Sequence, residues 1–288
     1  MNIASIAPAQ SERGNATPLT WLQLMRFPTV FTALSNILCG YLITHPFRAT
    51  ELFQHSNLWL LLASSAGLYL GGMVLNDVFD AHLDAVERPE RPIPSGRISR
   101  RSSAIFGGLL LITGIGCAAI VGLGSLLVAG LTVIAVLLYD AYLKSTRAAP
   151  LGMGTCRFLN LMLGSSAGAS VTSVWQAAPM TVALALGVYI IGVTLFAKNE
   201  AGKSSAVSLL IATAIMLGGI GLDAWRVTEF GIENAIPGSQ MAFLIPGLNI
   251  LMRSVVSILN LVPAQVQRTV GLMLLCLVIR NLFSRHHH

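Results

Sequence analysis

Apolar runs of membrane-spanning length dominate this sequence. Of its 288 residues, 54% are hydrophobic and only 10% are charged. A helix crosses the roughly 30 Å hydrocarbon core of a bilayer with about 20 residues, and we count about nine runs of that length. They lie at approximately 22–45, 57–75, 104–121, 123–143, 151–173, 179–197, 205–225, 240–260 and 267–284. Because the runs do not alternate apolar with polar residues, a β-barrel is disfavoured. The sequence predicts an all-α polytopic membrane bundle around a central cavity that opens to the cytoplasm.

Lysine and arginine collect in alternate loops between the runs. The basic residues on one predicted side are Arg88, Arg91, Arg97, Arg100, Arg101, Lys144, Arg147, Lys198 and Lys203. Since basic loops favour the cytoplasmic side, we expect a cytoplasmic N-terminus, in a bacterial inner membrane. The formal net charge of +6 then mainly reflects membrane topology, with some affinity for anionic membrane lipid. Because the sequence contains no soluble basic domain, we do not expect a nucleic-acid partner.

The two ends of the chain differ in composition from the runs. We expect residues 1–20, which are polar and lack a signal-peptide pattern, to form a disordered tail. Residues 21–285 form the predicted transmembrane domain. The three histidines at 286–288 are interpreted as a purification-tag remnant.

A cluster of acidic residues directly follows the second run. In a continuing helix Asp77, Asp80 and Asp84 fall at i, i+3 and i+7, so they share one face, which Asn76 joins. Three carboxylates beside a membrane helix need a positive partner, and Mg²⁺ prefers such oxygen ligands. The alternative is a solvated helix end.

An arginine- and proline-rich segment, residues 87–99, comes next. Its prolines prevent a regular helix, so Arg88 and Arg91 are presented from a loop behind the acidic residues. Guanidinium groups suit phosphate oxygens. The alternative is that these arginines only mark the cytoplasmic side, which is our interpretation of Arg100 and Arg101.

The pattern N-D-x-x-D-x-x-x-D followed by R-x-x-R-P-x-x-S-G-x-I-S, from Asn76 to Ser99, resembles the first aspartate-rich motif and adjoining loop of the UbiA family of intramembrane prenyltransferases. Arg26-Phe27-Pro28-Thr29, with Asn36 and Gly40 beyond it, resembles the first helix of that family. The number of predicted spans is also similar.

The resemblance implies a Mg²⁺-dependent transfer of an isoprenyl group from an isoprenyl diphosphate to an acceptor through an allylic carbocation. It implies metal ligands at Asp77, Asp80, Asp84 and Glu200. It implies diphosphate contacts at Asn76, Arg88, Arg91, Lys144, Lys198, Asn199 and Lys203.

Two positions depart from the family pattern. The second aspartate pair is reduced to Glu200, and the Tyr-x-x-x-Lys motif is out of register, because Asp140 rather than Tyr139 lies four residues before Lys144. The cluster around Lys144 to Asn160, together with the reduced second motif, resembles the EboC-like branch of the family. Candidate contacts for the acceptor or substrate are Arg26, Asn36, Tyr139, Asp140, Arg157 and Asn160; for Arg157 the alternative is snorkelling to the interface, and for Asn36 an interhelical hydrogen bond.

Three functions remain open from the sequence. The first is prenyl transfer to an aromatic or other small acceptor. The second is prenyl transfer to a glycerol-phosphate lipid. The third is a non-catalytic isoprenoid carrier or transporter that kept the fold, for which the reduced second motif at Glu200 is the distinguishing feature.

Overall fold

The computed structural model describes residues 16–45, 51, 54–200 and 206–229. Within these ranges the chain forms helices and turns, with no strand. The helices are α1 Pro18–Leu24, α2 Phe31–Thr44, α3 Ser56–Phe79, α4 Ala81–Glu87, α5 Arg100–Val121, α6 Leu123–Ala141, α7 Ala149–Gly164, α8 Ala177–Glu200 and α9 Ala206–Glu229. The predicted spans at 240–260 and 267–284 lie outside the described residues.

Five segments in the described residues are long and apolar enough to cross a membrane. They are Phe27–Thr44, Ser56–Phe79, Arg100–Val121, Leu123–Ala141 and Ala177–Lys198, and a shorter apolar segment covers Val207–Leu222. The predicted all-α membrane bundle is therefore confirmed. The predicted span at 151–173 was too long, because α7 ends at Gly164 and the chain turns through Gly168, whose φ of 68° favours glycine.

Helix α1 corrects the predicted boundary of the N-terminal tail. The helix begins at Pro18, inside the segment 1–20 that we expected to be disordered. The Thr17 side chain accepts a hydrogen bond from the Thr20 amide, and Thr20 returns the contact to the Thr17 amide. This reciprocal cap satisfies amides that the first helical turn leaves without a partner.

Glycines set the closest helix crossings. A Cβ added at Gly40 on α2 would overlap the Leu161 carbonyl oxygen on α7, and one added at Gly164 would overlap the Ile37 carbonyl. A Cβ at Gly67 on α3 would lie 2.7 Å from the Leu110 carbonyl on α5. Because glycine has no side chain, the backbones of these helices come into direct contact. The hydrophobic effect does not drive helices together in lipid, so dispersion contacts of this kind stabilise the crossings.

We expect Gly40→Ala to destabilise the protein by about 1–3 kcal/mol, because the added methyl group forces α2 and α7 apart. Gly130→Ala on α6 is the matched control: a Cβ there meets nothing within 4 Å, so the change should be neutral or slightly stabilising. Thermal unfolding in detergent measures both. Equal melting temperatures for the two variants would contradict the close crossing.

The helices alternate in direction, so their ends form two faces of the bundle. The N-terminus of α2, the C-terminus of α3, the N-terminus of α5 and the C-terminus of α6 share one face, which we call the charged end. A small apolar cluster of Leu24, Val74 and Ile98 joins α1, α3 and the loop before α5 there. This cluster holds the loop that carries Arg91 against the end of α3.

A polar cavity of about 210 Å³ lies at the opposite end. It is lined by Thr44 and His45 after α2, by Ser165 and Gly168 after α7, and by Gln176 before α8. Burial, and to a smaller extent the nearby His55, lowers the pKa of His45 below its usual 6.5. This imidazole is therefore neutral at pH 7.

Candidate functional site

The acidic residues lie at the break between α3 and α4. Asp80 separates the two helices, yet its amide donates to the Asn76 carbonyl at 2.9 Å and its own carbonyl accepts from the Asp84 amide at 2.8 Å. The helical path therefore continues nearly unbroken. Asp77 and Asp84 are buried, at 4% and 2% exposed, while the Asp80 side chain is 22% exposed.

Arg91 joins the two buried carboxylates. Its Nη1 lies 2.6 Å from Asp84 Oδ2 and 3.3 Å from Asp77 Oδ1. The loop that presents it is folded on itself, since the Ser95 hydroxyl donates to the Arg91 carbonyl at 2.7 Å and Gly96 adopts a φ of 75°. The predicted loop arginine therefore lies directly against the predicted acidic residues. Arg88 is more exposed, and its contact with Asp84 is longer, at 3.9 Å between Nη1 and Oδ1.

Arg26 supplies a second guanidinium to the same carboxylate. Its Nη2 lies 2.7 Å from Asp77 Oδ1. The Arg26 backbone adopts φ 48° and ψ 45°, a left-handed conformation that costs a non-glycine residue about 1–2 kcal/mol. Arg26, a candidate substrate or acceptor contact, therefore lies against the first acidic motif, and its contact with substrate stays a prediction.

Lys144 approaches the remaining acidic residue from another helix. It lies in a 3-10 turn, Leu143–Ser145, after α6, and its Nζ is 2.7 Å from Asp80 Oδ1 and 3.3 Å from Asn76 Oδ1. Nearby, Lys198 on α8 donates to the Thr146 carbonyl at 3.0 Å. The ends of α3, α6 and α8 therefore meet at the charged end.

Part of the predicted site lies outside the described side chains. Helix α8 extends to Glu200, but the side chains of Asn199 and Glu200 are not described, and Lys203 lies outside the described residues altogether. The second acidic motif thus stays a prediction.

Tyr139 and Asp140 have different environments although they are neighbours. The Tyr139 ring packs against α7, where a Cβ added at Gly152 would lie 2.9 Å from it. Asp140 is 4% exposed, and its Oδ2 has no hydrogen-bond partner among the described residues. Tyr139 is therefore part of a helix interface, whereas Asp140 is a buried carboxylate without a visible structural role.

Arg157 and Asn160, which we had grouped as candidate acceptor contacts, also differ. The Asn160 Oδ1 accepts from the Ser65 hydroxyl at 2.7 Å and its Nδ2 donates to the Ala33 carbonyl at 2.9 Å. Asn160 therefore joins α2, α3 and α7 as a structural residue.

The Arg157 guanidinium instead stacks 5.2 Å above the Tyr69 ring, and its buried Nη1 has no hydrogen-bond partner among the described residues. Asn36, the remaining candidate, is 1% exposed on α2.

The donor set at the charged end fits a hard cation. Its candidate donors are oxygens only, from Asn76, Asp77, Asp80 and Asp84, and Mg²⁺ commonly uses one or two carboxylates together with substrate phosphates and water. However, the described residues contain no cluster of three acidic, histidine or cysteine side chains close enough to hold one ion. The predicted three-carboxylate set is thus divided here: Arg91 joins Asp77 to Asp84, while Asp80 pairs with Lys144.

Comparison with curated proteins adds named relatives. The chain is 45% identical over 76 residues to the digeranylgeranylglyceryl phosphate synthase of Methanopyrus kandleri, a match that covers 26% of this chain and 28% of that enzyme. The chain thus spans less than a third of that relative in the match.

Two solved structures have the same fold. A structure described for digeranylgeranylglyceryl phosphate synthase in membranes matches with a TM-score of 0.59 and 22% identity, over 92% of this chain and 94% of that one. A UbiA homologue from Archaeoglobus fulgidus bound to GPP and Mg²⁺ matches with a TM-score of 0.58 and 17% identity, over 83% and 87% of the two chains.

The sequence profile of the UbiA prenyltransferase family covers residues 33–225, from the first turn of α2 to near the end of α9. It includes the acidic residues, Arg91, Lys144 and Glu200. The match spans about two thirds of the chain, and the fold agrees with it over nearly the whole length. The chain belongs to the UbiA prenyltransferase family.

Proposed function

We propose that this protein transfers an isoprenyl group from an isoprenyl diphosphate to a hydroxyl of a glycerol-phosphate lipid. The observation that carries the proposal is the arrangement of cations at the charged end, where Arg26, Arg91 and Lys144 converge on buried or half-buried carboxylates. The named relative makes a lipid of this class. The Archaeoglobus fulgidus homologue binds a prenyl diphosphate with Mg²⁺.

The residues at the charged end bind and stabilise the diphosphate. Arg26, Arg91 and Lys144 are already held in place by ion pairs of 2.6 to 2.7 Å, so they need little reorganisation when negative charge develops on the leaving group. Bound Mg²⁺ supplies further neutralisation of that leaving group. Asn76, Asp77, Asp80 and Asp84 are the residues that would hold it, with Glu200 as the candidate from α8.

The isoprenoid tail extends away from this end into the apolar interior. The helix walls around it exclude water, which would otherwise capture an allylic carbocation.

Arg157 is suited to bind the phosphate of the acceptor. Tyr69, on which its guanidinium stacks, lies eight residues before Asp77 on α3, or about 12 Å farther from the charged end at 1.5 Å per residue. A cation buried at that depth needs an anionic partner. A phosphate group accepts two parallel hydrogen bonds from guanidinium, so a glycerol-phosphate headgroup satisfies it.

We further propose that the charged end faces the cytoplasm, because its loops carry the basic residues. The protein is a multi-pass membrane protein by its five apolar spans and its family. The bacterial inner membrane and the EboC-like branch stay predictions.

The test is a transfer assay with purified protein in nanodiscs. With Mg²⁺, geranylgeranyl diphosphate and geranylgeranylglyceryl phosphate, we expect pyrophosphate release matched by an equal amount of ether lipid in mass spectrometry. Chelation of Mg²⁺ by EDTA should stop both, and added Mg²⁺ should restore both, since the leaving group then lacks its counter-charge.

Other outcomes select the alternatives. Turnover with an aromatic acid but not with the lipid would reject the glycerol-phosphate acceptor. Tight, Mg²⁺-dependent binding of the diphosphate without turnover on a broad acceptor panel would reject the enzyme and support the carrier or transporter, in which Glu200 alone cannot replace the second acidic pair.

A further inference from the structure

Asp140 is a buried carboxylate that the binding roles above leave unexplained. It is 4% exposed at the end of α6, its Oδ2 has no hydrogen-bond partner, and no cation lies within ion-pair distance of it among the described side chains. Burying an unpaired polar group costs several kcal/mol. Natural proteins keep such groups mainly where function needs them.

The position of Asp140 connects it to the reacting centre. It lies in the last turn of α6, four residues before Lys144, with the helix break at Tyr142 between them. Lys144 contacts Asp80 and Asn76, which belong to the proposed diphosphate site. Asp140 is buried and interacts electrostatically with Lys144 first, and then with Asp80, Arg26 and Asp77, so it lies beside this site rather than at the lipid surface.

The chemistry of the donor fixes where a proton acceptor must lie. The carbon that is attacked is bonded to the diphosphate oxygen, and the acceptor oxygen must approach it to about 3–3.5 Å. A buried carboxylate in the last turn of α6, four residues before a diphosphate-binding lysine, is therefore suited to lie at the level of the reacting carbon. Lys144 marks the outer boundary of that level and the Arg157–Tyr69 stack marks the inner one.

The other carboxylates at this end are already engaged. Asp77 and Asp84 share Arg91, and Asp80 pairs with Lys144. An ion pair lowers the basicity of a carboxylate. Among the described residues at the charged end, Asp140 is thus the buried carboxylate that keeps an oxygen available.

We propose that Asp140 accepts the proton of the acceptor hydroxyl during prenyl transfer. The proposal rests on the proposed function. The bond between the isoprenyl carbon and the diphosphate oxygen breaks, and its electron pair leaves with the diphosphate. A lone pair of the acceptor oxygen forms the new carbon–oxygen bond, and the hydroxyl proton moves to Asp140 Oδ2, from which it is later lost to solvent.

The test compares Asp140→Asn with wild type in three measurements: transfer to geranylgeranylglyceryl phosphate, binding of a thiolodiphosphate analogue of the donor with Mg²⁺, and release of pyrophosphate into water without acceptor. We expect transfer to fall about 100-fold, a typical general-base contribution. Donor binding and release into water should stay unchanged, because neither requires the acceptor proton to be removed.

Two further variants keep the test decisive. Asp140→Glu retains a carboxylate and should therefore recover part of the transfer rate. This variant tests the proposal even if Asp140→Asn folds poorly. Thr132→Val is the control on the same helix: Thr132 is 4% exposed and its hydroxyl donates to its own helix at Val128. It should transfer at the wild-type rate.

The outcomes separate the two proposals. If wild type and Asp140→Asn transfer at the same rate, the proposed role of Asp140 is rejected and the proposed function is not. Loss of donor binding together with transfer in Asp140→Asn, with no recovery in Asp140→Glu, would also reject it in favour of a structural role. Wild-type protein that transfers to no acceptor would reject the proposed function and Asp140 with it.

Discussion

Replacing Asp77 with asparagine will lower the rate of isoprenyl transfer by about 10³-fold, near the upper range for removing one preorganised electrostatic group. Asp77 Oδ1 accepts from Arg26 Nη2 at 2.7 Å and from Arg91 Nη1 at 3.3 Å. The amide keeps the volume of the side chain but removes the charge that orients both guanidinium groups. It is also a weaker ligand for Mg²⁺. Pyrophosphate release under saturating substrates measures the effect.

The matched control for Asp77→Asn is Glu90→Gln. Glu90 is an exposed acidic residue in the neighbouring loop, and the contact described for it comes from its backbone carbonyl, which accepts from Arg97. It loses the same charge and should transfer at the wild-type rate. Asp77→Asn with wild-type activity and an unchanged requirement for Mg²⁺ would show that the first acidic motif is not the diphosphate site.

Replacing Arg91 with alanine will lower the transfer rate by about 10²-fold to 10³-fold and raise the KM for the isoprenyl diphosphate. Arg91 is 21% exposed and its Nη1 reaches both Asp77 and Asp84. Without it, two buried carboxylates face each other with less neutralising charge, and the diphosphate loses a fork-shaped donor. Steady-state kinetics over a range of donor concentrations separates the two effects.

Arg101→Ala is the matched control for Arg91. Arg101 is exposed in the first turn of α5, so the same loss of charge there should leave both kcat and KM unchanged. Arg91→Lys should recover only part of the activity, because an ammonium group cannot replace the planar guanidinium fork. If Arg91→Ala behaves like Arg101→Ala, the arginine loop serves topology rather than diphosphate binding.

Local chemistry made the first part of the site predictable. Asp84 and Arg91 are seven residues apart, and the prolines between Arg88 and Ser95 leave that segment no regular helix, so their proximity could be expected from the chain itself. The cap of α1 at Thr17 was also readable, from the T-P-x-T sequence. The residues before it are polar, which favoured the prediction of a disordered tail.

Other parts of the site depend on contacts between distant residues. Arg26 and Asp77 are 51 residues apart, and Lys144 and Asn76 are 68 apart. Arg157 and Asn160 looked equivalent as polar residues on one face of an apolar helix. Only the packing of the helices distinguishes them. Asn160 is hydrogen-bonded to Ser65 and to the Ala33 carbonyl, whereas the Arg157 guanidinium lies over the Tyr69 ring.

The sequence alone determined that this protein is a helical membrane bundle with an acidic and arginine-rich end. The length of an apolar run and the position of a charge decide locally whether a segment lies in lipid or in water. The tertiary structure decided which charges meet: Arg91 between Asp77 and Asp84, Lys144 on Asp80, and Asp140 with a buried Oδ2 that no described residue hydrogen-bonds. That outcome depends on helix crossings as close as Gly40 against Leu161. Such crossings follow from shape complementarity across the bundle, which no single segment of the sequence contains.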